Sequence, residues 1–129
     1  MNFLFTERLT KSHGYFSHTD VERAADLIHM FQNKNVDGIL CIRECHGCTQ
    51  ILILIEYDLI QSNPKPLIGL NDVTALLNSI YKRTGLITLH GSVGGTFDDN
   101  FPKKDCIDAI RKPEQEMILQ NAKRIKEHR

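Results

Sequence analysis

Three cysteines and a histidine stand within eight positions in "CIRECHGC", residues 41–48. Thiolates and imidazoles are metal ligands and nucleophiles, so the cluster admits several chemistries. The C-x3-C-x2-C spacing of Cys41, Cys45 and Cys48 is that of cysteines holding an iron–sulfur cluster in radical enzymes. Cys45 and Cys48 alone form a C-x-x-C thiol-redox pair, set before an apolar stretch whose helical N-terminus would favour a thiolate. Cys45, His46 and Cys48 could hold zinc, but a structural site wants a fourth ligand at a recognisable spacing. Against the iron–sulfur reading, Cys41 sits inside the apolar run "GILCI", where a free cysteine acts as a small hydrophobe, and radical enzymes need a much longer barrel. Against the redox reading, no other thioredoxin-like feature accompanies the pair. The plainer reading is that these thiols occupy a loop whose original role differed.

Other groups invite chemistry more weakly. His90, in "LHG", ends an apolar run, and a structural place at the end of a strand is weighed above a catalytic one. Asp72 could serve as a general acid or base, but its expected place is at the cap of the helix that follows, near the positive end of the dipole. "GSVGG" has the glycines of a phosphate loop without its lysine or following helix. Tyr57, Phe31 and the Ile/Leu runs read as core, and no cofactor is implied.

The elements that must position these residues follow from periodicity. "TDVE", Thr19 to Glu22, is a capping box, and Val21, Ala24, Ala25, Leu27, Ile28 and Phe31 then share one helical face, with Glu22, Arg23 and Asp26 mostly off it. "GILCI" is short, apolar and not alternating, which suits a strand buried on both faces. "TQILILIEYDLI" is apolar nearly all round, and its length predicts a helix. "NPKPLIGL" leads into a second buried strand. "NDVTALLNSIYKRTG" predicts a helix capped by Asn71 or Asp72 and stopped by Gly85. "LITLHG" is a third strand. Helix, strand, helix, strand, helix, strand over residues 19–91 predicts an α/β fold with an open, mostly parallel sheet and flanking helices. Ligands in such sheets sit at the carboxyl ends of the strands, so the loops that matter are "RECHGC", "NDVT" and "HGSVGGTFDD".

Composition bounds the rest. The chain has 129 residues, the size of one domain, with 16 Lys plus Arg against 16 Asp plus Glu. A balanced charge gives no support to nucleic-acid binding, and no apolar stretch has membrane-spanning length. The N-terminus has no signal-peptide core and bunched cysteines are not a disulfide framework, so a cytoplasmic protein with reduced thiols is expected.

The three loops, read in order, resemble the LD-carboxypeptidase family of serine peptidases, which includes muramoyl-tetrapeptide carboxypeptidases and microcin-immunity peptidases. "GYFSHTDVERAADLIHMF" is similar to the family's helix before the first loop. "PKPLIGLNDVTAL" is similar to its P-K-x-x-x-G-[YF]-S-D-x-T-A-L, and "GLITLHG" to its G-L-x-T-x-H-G. The likeness covers about residues 14 to 97. It implies a flavodoxin-like N-terminal domain lacking its first strand–helix unit. The expected organisation is a partial α/β domain over 1–101 and a polar helical segment over 102–129, with the family's catalytic C-terminal domain absent.

The departures bear on activity. In the family the serine of G-[YF]-S-D is the nucleophile, shown on a sharp strand-to-helix turn. Here that position is Asn71, with Asp72 after it as the implied backbone oxyanion donor. The family's R-G-G-[aromatic]-G-S substrate loop reads Arg43, Glu44, Cys45, His46, Gly47, Cys48, which makes Arg43, Cys45 and Gly47 the implied substrate-binding positions. A carboxamide cannot be activated into an acyl-forming nucleophile. The expectation is therefore a truncated, catalytically inactive relative of enzymes that hydrolyse L,D-peptide bonds in muropeptides. It would bind a muropeptide or other peptide, and would pair with another copy of itself or a complementing chain. Two alternatives remain open: a small thiol-redox protein using Cys45 and Cys48, and half of a hydrolase assembled in trans.

Overall fold

A computed structural model describes residues 19–41 and 46–91. The predicted segment over 102–129 and most of the "HGSVGGTFDD" loop lie outside the described residues. Helix α1 spans Asp20–Gln32, and its capping box forms as expected. The Glu22 N–H donates to the Thr19 hydroxyl while the Glu22 carboxylate accepts from the Thr19 N–H, so two of the helix's unpaired groups are satisfied reciprocally. Ala24, Ile28 and Phe31 are the buried stripe of this helix.

Strands β1 (Ile39–Leu40), β2 (Leu67–Gly69) and β3 (Leu89–His90) form a parallel sheet in the order β1-β2-β3. Ile39 pairs with Leu67, and Ile68 with Leu89. β2 is buried along its whole length, the mark of a central strand covered on both faces, whereas β1 is only half-buried. Cys41 falls just past β1, yet its N–H still donates to the Ile68 carbonyl at 3.0 Å and continues the ladder.

Between β1 and β2 the single helix expected from "TQILILIEYDLI" is broken. Helix α2 covers Cys48–Ile51, a 3-10 turn covers Leu52–Leu54, and helix α3 covers Tyr57–Ser62. Ile55 is extended, and the break lets both Ile51 and Ile55 enter the core while Ile53 stays exposed. The Tyr57 hydroxyl satisfies the Leu52 carbonyl at 2.9 Å and shares a 2.7 Å bond with the Ser79 hydroxyl, supplying the partner that a continuing helix would have provided.

Helix α4 spans Val73–Thr84 and ends, as expected, on Gly85 in the left-handed region. Phe31, Ile60, Leu67, Val73 and Ile80 are the largest fully buried side chains, so the core lies where the helices meet β2. Lys65, just before β2, donates its ammonium to the Met30 and Asn33 carbonyls and so caps the far end of α1.

The β2–α4 connection is the tightest in the fold. A side chain at Gly69 would place Cβ 2.3 Å from Val73 Cγ1, so only glycine lets the first turn of α4 press on the strand. Only three residues separate Gly69 from Val73, the first residue of α4, and among them Asn71 takes a left-handed conformation, φ 54°. It is the sole non-glycine residue with positive φ among those described.

Two stability measurements follow from this turn. Gly69→Ala should lower unfolding free energy by about 2 kcal/mol through overpacking against Val73, read as a fall in urea midpoint, and Val73→Ala in the same chain should recover part of the loss. Asn71→Gly should leave stability unchanged or raised, and Asn71→Val should lower it by about 1–2 kcal/mol, because a β-branched residue resists the left-handed region.

Candidate active site

The turn Leu70–Val73 brings together the chemistry expected at the carboxyl end of β2. Asn71 is exposed, at the position where the strand stops and α4 has yet to begin. The Val73, Thr74 and Ala75 N–H groups donate three residues back, to the Leu70, Asn71 and Asp72 carbonyls at 3.3, 2.8 and 3.2 Å. The Asn71 and Asp72 N–H groups have no acceptor among the described residues. They stand at the start of a 12-residue helix, where the dipole and the free donors favour an anion or a developing oxyanion.

Asp72 occupies the expected cap position, but its side chain does not cap α4. Its carboxylate instead accepts from the Cys48 N–H at 2.7 Å, at the first residue of α2. The acid thus neutralises the N-terminus of a different helix and ties the loop after β1 to the turn after β2. Gly47, directly before α2, has φ 82°, which a residue with a side chain resists, and this explains why glycine stands there.

Of the residues implied as site members, Asn71, Asp72 and Gly47 therefore converge at one end of the sheet, while Arg43 and Cys45 lie outside the described residues. Cys48 is 4% exposed and packs in the hydrophobic core. A buried thiol is a poor redox nucleophile, so the C-x-x-C alternative is not favoured. His46 is exposed, as is His90, whose backbone pairs with Gly69 at the edge of the sheet. An open apolar groove of about 500 Å3, lined by residues such as Pro64, Lys65, Leu86 and Ile87, lies at the opposite ends of β2 and β3. It gathers no reactive group beyond Lys65, which is already engaged with carbonyls of α1.

Sequence reasoning missed one residue of this end of the fold. Arg23, in the first turn of α1, donates to the His46 and Gly47 carbonyls, each at 3.1 Å, and to the Asp20 carboxylate at 2.5 Å. A cation in the first turn opposes the helix dipole, and that mismatch was the available signal that Arg23 serves something other than its own helix.

Comparison with known proteins agrees with this fold. The family described as "LD-carboxypeptidase N-terminal domain" matches residues 1–91. The microcin C7 self-immunity protein MccF of Escherichia coli is 38% identical over 89 residues, which is 68% of this chain and 26% of that protein. The murein tetrapeptide carboxypeptidase of Pseudomonas aeruginosa is 35% identical over 80 residues, 61% of this chain and 26% of that protein. Among solved structures, MccF in complex with aspartyl sulfamoyl adenosine superposes with a TM-score of 0.75 at 30% identity, covering 81% of this chain and 33% of that one. The chain thus spans only about a quarter to a third of the length of these relatives. No described helix is long and apolar enough to cross a membrane. With a parallel sheet, a left-handed residue on the strand-to-helix turn and a family match over residues 1–91, this chain belongs to the LD-carboxypeptidase family through that family's N-terminal domain.

Proposed function

We propose that this chain carries the ligand-binding turn of an LD-carboxypeptidase-like site, and that with Asn71 at the nucleophile position it binds a peptide without cleaving it. The observation that carries this reading is the left-handed φ of Asn71 on a turn whose N–H donors remain available. A hydroxyl in that place could lose its proton to a base and attack a carbonyl. A carboxamide has no such proton to give near neutral pH, and its nitrogen lone pair is delocalised. What Asn71 offers is one acceptor and two donors, the pattern that recognises a peptide bond or a carboxylate. The Asp72 N–H, at the start of α4, supplies a further donor for the same group.

The favoured ligand class is a peptide with an L-centre followed by a terminal D-residue, as in murein tetrapeptides. The relative named a murein tetrapeptide carboxypeptidase supports this class. The complexes of MccF with aspartyl sulfamoyl adenosine and glutamyl sulfamoyl guanosine support a second probe, an acidic aminoacyl group on a sulfamoyl nucleoside.

Calorimetric titration with a synthetic murein tetrapeptide should saturate at one site, and mass spectrometry should find neither a covalent adduct nor a released D-amino acid. Asn71→Ala should weaken binding by roughly three- to tenfold, the worth of one or two neutral hydrogen bonds. Absence of saturation with either probe, both for the chain itself and after Asn71→Ser, would show that this end of the sheet is not a peptide site.

A further inference from the structure

The peptide unit between Gly47 and Cys48 is held at both of its ends. Its carbonyl accepts from Arg23 Nη2 at 3.1 Å, and its N–H donates to Asp72 Oδ2 at 2.7 Å. In a trans peptide these two groups point in opposite directions, so a cation on one side and an anion on the other fix the plane of the unit. The preceding carbonyl, that of His46, also accepts from Arg23, through Nη1 at 3.1 Å. Two successive carbonyls thus turn toward α1, a geometry that Gly47 permits through its φ of 82°. By the same planarity the Gly47 N–H faces away from Arg23. The guanidinium is itself aimed by Asp20, and its side chain is only 12% exposed.

We infer that Arg23, oriented by Asp20, is a positioning residue for the ligand site: it sets the Gly47–Cys48 peptide, and through the Cys48–Asp72 hydrogen bond sets the turn that carries Asn71. The link to ligand affinity rests on the peptide-binding reading above, while the positioning itself does not. Asp20 and Arg23 belong to α1, Gly47 and Cys48 to the start of α2, and Asp72 to the start of α4. Three elements separate in sequence therefore meet through one guanidinium and one carboxylate, with a single peptide plane between them. Only a guanidinium has the fork to meet two carbonyls and a carboxylate together; an ammonium in its place is a point charge.

Backbone amide spectra of Arg23→Met and Arg23→Lys test the inference. Both variants should shift the Gly47, Cys48 and Asp72 amides while resonances of α3 and the far end of α4 stay in place. Arg23→Met should also weaken binding of the murein tetrapeptide by about tenfold or more. A general loss of packing would instead move amides throughout the helices. Arg23→Lys keeps the charge and the aliphatic stem, so it serves as the reading should Arg23→Met fail to fold. Unmoved Gly47, Cys48 and Asp72 amides in a folded variant would overturn the inference, as would tetrapeptide affinity equal to that of the parent chain. If the parent chain itself binds no tetrapeptide, the peptide reading fails, and the amide shifts alone still decide whether Arg23 positions the turn.

Discussion

Val73 lies directly over Gly69, at a separation that no Cβ could occupy, and much of the molecule depends on that contact. It draws α4 close to β2, the fully buried central strand, and sets Val73 among the largest fully buried residues. Because the helix starts so soon after the strand, the chain must reverse within three residues, and Asn71 takes up the left-handed conformation that makes this possible. A left-handed non-glycine residue costs free energy, though asparagine bears it better than most. The strain persists because packing on both sides holds it, as is common at functional turns. Packing thereby positions Asn71, which is exposed at the carboxyl end of the sheet.

The surrounding polar bonds extend this constraint across the end of the sheet. The Asp72 carboxylate reaches the start of α2 rather than its own helix, and Arg23 reaches the same peptide from the other side. The site is therefore a place where the starts of α1, α2 and α4 converge on the carboxyl end of β2. Such convergence is where open α/β sheets put their ligands. The chain belongs to the LD-carboxypeptidase family and presents a carboxamide, that of Asn71, on its left-handed turn.

Much of the fold was legible in local sequence. Thr19 and Glu22 marked the start of α1, Gly85 the end of α4, and the two apolar runs before Arg43 and Asn71 gave β1 and β2. These signals are local because capping and hydrophobic periodicity act within a few residues. The break between α2 and α3 was not legible, since it depends on a Tyr57–Ser79 hydrogen bond spanning 22 positions. The same holds for the site. Asn71 was readable from its place in a motif, whereas the Asp72–Cys48 bond and the reach of Arg23 to Gly47 span 24 positions each and leave no periodic trace. The cysteine spacing left reactive alternatives open beside the plainer reading for a related reason: burial, the tertiary property that removes Cys48 from reach, has no local signature.

The most direct test is a crystal structure of the chain grown with murein tetrapeptide. Residue 71 should have positive φ, with an intact peptide whose terminal residue accepts a hydrogen bond from the Asp72 N–H and contacts the Asn71 carboxamide. A right-handed Asn71, or a peptide seated anywhere other than the β2–α4 turn, would contradict the account.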